Sequence, residues 1–192
     1  MLTFKNPMKY VIDSTDPQGY HQLSHSIQYF LDKYAYNHWV ILCIGTDRST
    51  GDALGPLVGS KLKLMEPRHY TVLGTLEEPV HALNLENTIQ FLKEHYPDSG
   101  ILAIDACLGQ LRSVKSIQVV DGPLKPGAGV YKTLPEIGHF HISGVVNVGG
   151  FMEYFVLQNT RLHVVMKMAD MIALSVHHSI QFNRYKKENA AN

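Results

Sequence analysis

Short apolar runs, rich in β-branched residues, alternate with amphipathic segments along most of the chain. Such runs are typical of strands that are buried on both faces of a sheet. They predict strands at 38–45, 70–76, 100–109, 116–122 and 137–146.

The segments between these runs repeat apolar residues at helical spacing. The spacing predicts helices at 20–34, 54–65 and 85–96. Asn84 stands where a side chain would cap the third of these helices. The last part of the chain, about 45 residues, has the length and periodicity of two further helices.

Strands that alternate with helices predict an α/β fold, namely a three-layer α/β/α sandwich. The strand at 116–122 and a short extended piece within 123–133 have no helix between them, which indicates a hairpin. The central sheet is therefore expected to be mixed and mostly parallel. We find no repeat or linker, so residues 1–192 are expected to form a single domain with residues 1–20 as an irregular or extended N-terminal arm.

Composition narrows the range of partners. The 17 Lys and Arg residues balance the 17 Asp and Glu residues, which argues against nucleic-acid or membrane binding. No secretory signal is seen, and no apolar run reaches the roughly 20 residues that cross a bilayer. We therefore expect a soluble, cytoplasmic protein. The two cysteines, Cys43 and Cys107, end apolar runs and are expected to be free, buried thiols.

The loop "CIGTDRSTGDALGP" (43–56) follows the first long apolar run. Ligands of open α/β sheets bind at the carboxyl ends of strands, where this loop lies. It has no lysine and it carries Asp47 and Asp52, so it is not a phosphate-binding loop. Asp52 precedes a helix and is a candidate N-cap. A carboxylate that faces a cleft is the alternative interpretation of Asp52.

Asp105 lies near the end of the third predicted strand, where an isolated buried charge would be costly. An ion pair with Arg112 would be a structural explanation for an acid at this position. If the first and third strands are neighbours, however, Asp52 and Asp105 converge on one cleft. Two close carboxylates have separated pKa values, so that one serves as acid and the other as base.

The same carboxylates could instead hold a divalent cation. His139 and His141 are two residues apart, so a strand places them on one face, with His141 nearer the strand end. Two carboxylates and one histidine suit a transition metal. The alternative is that both histidines are ordinary strand or surface residues.

Five segments, in this order and within residues 38–175, resemble the YyaC family of proteins from spore-forming bacteria. The segments are "CIGTDRSTGDALGPLVG", "GTLEEPVHALNL", "ILAIDACLG", "SIQVVDGPLKPGAGV" and "SGVVNVGGFMEYFVLQNTRL". The resemblance implies a role in sporulation. It also implies the fold shared by hydrogenase maturation proteases, which is phosphorylase-like.

That family is similar to two groups of peptidases. The germination protease, which degrades small acid-soluble spore proteins, has an Asp-Ala-Leu-Gly-Pro stretch, an Asp-Ala pair and a Pro-Gly-x-Gly-Val segment. These match residues 52–56, 105–106 and 126–130, and the likeness implies that Asp52 and Asp105 are catalytic. Hydrogenase maturation endopeptidases use two acids and a histidine that recognises nickel, which implies a role for His141.

The sequence thus leads us to expect a sporulation-associated endopeptidase whose two aspartates activate water. The alternative is a non-catalytic regulatory protein that binds a metal or a peptide. The sequence establishes no cofactor; a divalent transition metal, nickel or zinc, is the candidate, at Asp52, Asp105 and His141. The expected partner is a protein or peptide substrate, and a homodimer is left open. Residues expected to support the cleft are Thr46, Asp47, Arg48, Ser49 and Asn147.

Overall fold

The computed structural model describes residues 7–126 and 134–190. In chain order its elements are β1 (Lys9–Asp13), α1 (Gly19–Tyr34), β2 (Trp39–Cys43), α2 (Leu54–Leu64), β3 (Tyr70–Leu73), α3 (Leu85–His95), β4 (Gly100–Gly109), β5 (Ser116–Asp121), β6 (Phe140–Val148), α4 (Glu153–Gln158) and α5 (Leu162–Ala190). Every predicted helix is present, and so are the five strands predicted from apolar runs. The predicted extended piece at 123–133 lies largely outside the described residues.

The six strands form one sheet in the order β1-β5-β6-β4-β2-β3. The pairs that β4 makes with β6 and with β2, and the pair of β2 with β3, are parallel, whereas β5 is antiparallel to both β1 and β6. The mixed, mostly parallel sheet is therefore confirmed. The predicted N-terminal arm contains one element that the sequence did not indicate, because β1 is a short edge strand in which only Ile12 is fully buried.

Helices cover both faces of the sheet. Alternate residues of β2 point to opposite sides, as a strand requires. Ile41 and Cys43 belong to the core that includes residues of α1, α2 and α5, while Val40 and Leu42 pack with residues of α3. This arrangement confirms the three-layer sandwich. Within the described residues, none of the helices combines the length and the apolar character that a membrane span needs.

The sheet contains a step beside its central strand. β2 ends at Cys43, which lies opposite Ile104, whereas β4 stays paired with β6 as far as Gly109, with a register shift between Cys107 and Leu108. Asp105 is thus the first residue of β4 beyond the end of β2. The chain leaving β2 turns away over this edge and enters α2, which leaves room above the end of β2 for a cavity.

Glycines allow α2 to lie directly on the sheet. A Cβ atom at Gly55 would overlap the carbonyl oxygen of Ile44, and one at Gly59 would overlap the carbonyl oxygen of Gly74. Only glycine permits this backbone-to-backbone contact. The first turns of α2, and the loop that precedes them, are therefore held at a fixed height above β2.

Gly55→Ala is expected to destabilise the fold by about 2–3 kcal/mol, because overlap with backbone atoms outweighs the better helix propensity of alanine. Thermal denaturation measures the effect, because each 1 kcal/mol of lost stability lowers Tm by about 2–4 °C in a chain of this size. Leu64→Ala is the matched control in the same helix, since Leu64 is 84% exposed. If Gly55→Ala were as stable as this control, the close contact would be refuted.

Candidate active site

A cavity of about 310 Å³ opens above the end of β2. It is lined by the loop after β2, the turn before α3, the second half of β4, and α4. Most of the lining is apolar and includes Leu83, Leu108 and Tyr154. Its polar side chains include Thr46, Arg48, Ser49, Asp52, His81 and Asp105. The two aspartates singled out in the sequence thus share one cavity.

Asp52 lies in a single 3₁₀ turn, Gly51–Ala53, that leads into α2. The N-cap of α2 is Ala53, and no side chain caps that helix. The interpretation of Asp52 as an N-cap is therefore wrong. Its main chain is instead tied to the loop, because the Thr46 N–H donates to the Asp52 carbonyl oxygen at 3.1 Å. The side chain is left to face the cavity.

Gly45 makes this tight loop possible. Its φ of +141° is a conformation that other residues rarely adopt, and a Cβ there would overlap the Asp52 carbonyl oxygen. Its N–H donates to the Val80 carbonyl oxygen at 2.8 Å, which joins this loop to the turn before α3. Gly45 therefore brings two walls of the cavity together.

Asp105 is a half-buried carboxyl on β4. Its Oδ1 accepts the Ala106 N–H at 2.7 Å. Burial, together with the charge of Asp52, holds the pKa of Asp105 well above its usual range. The predicted ion pair with Arg112 is absent, since Arg112 Nε donates to Gln110 Oε1 at 3.0 Å and no described cation pairs with Asp105.

The two aspartates differ in their electrostatic surroundings. Burial also raises the pKa of Asp52. The hydrogen bond from the Thr46 N–H and the charge of His81 offset part of this rise, and the pKa stays above its usual value. Asp105 has the stronger upward shift, and the Asp52 charge adds to it. As the pH rises, Asp52 ionises first and Asp105 keeps its proton longer. The pair can thus present a base and an acid at the same time.

Three of the predicted cleft residues line the cavity, namely Thr46, Arg48 and Ser49. Ser49 is unusual because its hydroxyl is buried, with the residue only 8% exposed, and has no hydrogen-bond partner in the described structure. Buried hydroxyls of native proteins are nearly always paired, so this group is available for a ligand. Asp47 is exposed and does not line the cavity.

Asn147 is not among the residues that line the cavity. Its Nδ2 donates to Thr160 Oγ1 at 3.2 Å and to the Val156 carbonyl oxygen at 3.4 Å. It therefore fastens the segment around α4 to the end of β6. Since α4 supplies Leu157 to the cavity wall, the contribution of Asn147 to the site is indirect.

His141 lies on β6 opposite Ala103, whereas Asp105 lies opposite Ser143. His141 is thus about 7 Å closer to the start of the strand than the level of Asp105. Its Nδ1 bonds to the Gly122 carbonyl oxygen at 2.9 Å, and it does not line the cavity. His141 therefore lies on the face of the strand that the prediction required, but it is too close to the start of the strand to reach the site.

His139 is also committed to the fold. Its Nδ1 accepts the Ile101 N–H, and its Nε2 bonds to the Tyr36 hydroxyl, both at 2.9 Å. Among residues 7–126 and 134–190, no three His, Cys, Asp or Glu side chains form a group that could hold a metal ion. The described residues therefore do not fit the predicted three-ligand set. Metal binding stays a prediction.

Sequence reasoning missed His81, which lines the cavity beside Asp52. It belongs to no motif and is one of 11 histidines in the chain. Its position was nevertheless a usable signal. The loop that carries it follows the carboxyl end of β3, and β3 is the neighbour of β2 in the sheet.

Cys107 also lines the cavity, but as a thiol. Burial and the charge of Asp105 raise its pKa to about 12. A thiolate is required for nucleophilic attack, so Cys107 is not a nucleophile near neutral pH. We expect Cys107→Ala to keep kcat within about three-fold of wild type, and iodoacetamide at neutral pH to leave the rate unchanged. A loss of turnover above ten-fold in the variant would contradict this assignment.

The α/β/α sandwich is shared with a protein whose structure has been solved. The fold is similar to that of a [NiFe] hydrogenase maturation protease, HycI, from Thermococcus kodakarensis KOD1, with a TM-score of 0.53. The match covers 81% of this chain and 98% of HycI. At 14% identity it establishes the fold alone.

The chain belongs to the family described as "Protein of unknown function (DUF1256)", whose family model matches residues 11–175. It is 52% identical over 173 residues to YyaC of Bacillus subtilis (strain 168), an uncharacterised protein. That alignment covers 90% of this chain and 84% of YyaC. The resemblance drawn from the five segments is thereby confirmed.

Proposed function

We propose that this protein is a sporulation-associated endopeptidase in which Asp52 and Asp105 activate a water molecule. The observation that carries the proposal is that both carboxyls line one cavity while their surroundings separate their pKa values. A carboxylate and a carboxylic acid that face the same substrate can accept one proton and donate another in a single reaction. The fold shared with a maturation protease is consistent with this chemistry.

The reaction would begin with Asp52 ionised and Asp105 protonated. Asp52 takes a proton from water as the oxygen attacks the peptide carbonyl carbon, and Asp105 gives its proton to the carbonyl oxygen. The resulting diol collapses when Asp52 protonates the amide nitrogen and Asp105 takes a proton from one hydroxyl. The C–N bond breaks, and both carboxyls return to their starting states.

The rest of the cavity suits a peptide. The apolar lining excludes water and strengthens the interaction of the acids with a substrate. The unpaired Ser49 hydroxyl would gain a partner in the peptide backbone, which removes the cost of leaving it unsatisfied. The sporulation part of the proposal is supported by the resemblance to proteins of spore-forming bacteria.

The test is digestion of a diverse peptide library in H₂¹⁸O, with products analysed by mass spectrometry. We expect cleavage in which one ¹⁸O enters each new carboxyl group, because the peptide bond is hydrolysed by solvent water. Asp52→Asn and Asp105→Asn are the negative controls, and parallel digests with added nickel or zinc test the metal prediction. If the wild type bound peptides but cleaved none of them in these digests, the peptidase proposal would be overturned and a regulatory protein would be favoured.

A further inference from the structure

The turn that carries His81 is held rigidly from both sides. The Val80 carbonyl oxygen accepts the Gly45 N–H, and the His81 N–H donates to Asn84 Oδ1 at 2.8 Å. The His81 carbonyl oxygen accepts the N–H groups of Asn84 and Leu85 at 3.1 and 3.0 Å. Asn84 therefore uses its side chain to hold this turn, and it forms no side-chain cap on α3. These bonds fix the backbone position of His81.

The imidazole of His81 is oriented by a further bond. The Leu83 N–H donates to Nδ1 of His81 at 3.3 Å. A ring nitrogen that accepts a hydrogen bond has no proton, so neutral His81 carries its proton on Nε2. No bond to a described residue occupies Nε2. His81 is thus a hydrogen-bond donor whose side chain lines the cavity.

This donor lines the same cavity as the acid pair. When His81 is charged, it lowers the pKa of Asp52, so the ring lies within electrostatic reach of that carboxylate. Asp52 and Asp105 already supply the base and the acid of the reaction. With Nε2 protonated and Nδ1 accepting the Leu83 N–H, neutral His81 has no free ring nitrogen to serve as a second base. What His81 can supply is stabilisation of the charge that develops on the substrate.

Building on the proposed peptidase activity, we propose that His81 is a third catalytic residue. Its Nε2–H donates to the oxygen of the scissile carbonyl as that carbon becomes tetrahedral. Such a fixed donor acts mainly on the transition state, where the oxygen carries the most negative charge. His81 thereby stabilises the oxygen that Asp105 protonates, while Asp52 deprotonates the water.

The test compares His81→Ala and His81→Gln with wild type on a peptide that the wild type cleaves. We expect His81→Ala to lower kcat by about 10²–10³-fold with little change in KM, as when an oxyanion donor is removed. The glutamine amide can donate, so His81→Gln is expected to recover about ten-fold or more of the loss. His95→Ala is the control, because His95 is exposed and its hydrogen bond, to the Phe91 carbonyl oxygen, lies within α3.

A kcat of His81→Ala within about two-fold of wild type would overturn the inference while leaving the peptidase proposal intact. Equal losses in the alanine and glutamine variants would also overturn it, by indicating a structural role. Absence of cleavage by the wild type would instead refute the peptidase proposal and, with it, the catalytic role of His81.

A spectroscopic measurement tests the donor without turnover. In full-length protein with ¹⁵N-labelled histidine, the His81 signal is expected to be that of the Nε2–H tautomer. Addition of a phosphinic peptide, which mimics the tetrahedral state, should shift this Nε2–H signal and leave that of His95 in place. An Nδ1–H tautomer, or an unmoved His81 signal with the phosphinic peptide bound, would contradict the assignment.

Discussion

Asp52→Asn is expected to lower kcat for peptide cleavage by about 10³–10⁴-fold and to leave the fold intact. Asparagine has nearly the same shape but cannot take a proton from water. Because Asp52 caps no helix, the substitution removes no bond on which α2 depends. Initial rates on a peptide identified in the library digest measure the loss, and circular dichroism measures the fold.

Asp47→Asn is the matched control for this substitution. Asp47 lies five positions earlier in the same loop and has the same charge, but it is exposed and outside the cavity. We expect its kcat to stay within about two-fold of wild type. If Asp52→Asn retained a tenth or more of wild-type turnover, Asp52 would not be the general base.

Asp105→Asn is expected to have two opposite effects: a loss of kcat of about 10²–10⁴-fold and a gain of stability at neutral pH. The Asp105 carboxyl binds its proton more tightly in the folded chain than in the unfolded chain. Its contribution to stability is therefore complete below the unfolded pKa of about 4 and is lost as the pH rises through the raised folded pKa. Asparagine has no charge to bury and keeps an oxygen for the Ala106 N–H.

Thermal denaturation of both proteins at acid and neutral pH measures this effect. The Tm of Asp105→Asn should exceed that of wild type at neutral pH, by about 2–4 °C for each 1 kcal/mol gained. The difference should shrink as the pH falls below about 4, because the carboxyl of the wild type is then protonated in both the folded and the unfolded chain. A variant that is less stable than wild type at neutral pH would contradict the raised pKa of Asp105.

Most of the fold could be predicted from the sequence because it depends on local patterns. Buried strands such as β2 and β4 are continuous apolar runs, and the helices repeat apolar residues at their own period. The edge strand β1 could not be predicted in this way, since water faces most of its side chains. Its pairing with β5 depends on contacts more than 100 positions away.

The parts of the candidate site that depend on strand order could be predicted from the sequence. The parts that depend on strand register and on the exact start of a helix could not. The convergence of Asp52 and Asp105 required only that β2 and β4 be neighbours. The N-cap interpretation of Asp52 failed because a preference for acids near helix starts does not distinguish a cap from a preceding 3₁₀ turn. The level of His141 depends on the register of β4 with β6, which no local pattern encodes.

The pH dependence of kcat/KM tests the central claim most directly, namely that one ionised and one protonated aspartate cleave the peptide. The account predicts a bell-shaped profile: the rate rises as Asp52 loses its proton and falls as Asp105 loses its own. Both pKa values should lie above the ordinary value of an aspartic acid, since burial raises each. A rate that keeps rising to alkaline pH, as for a nucleophile that must be deprotonated, would contradict the account.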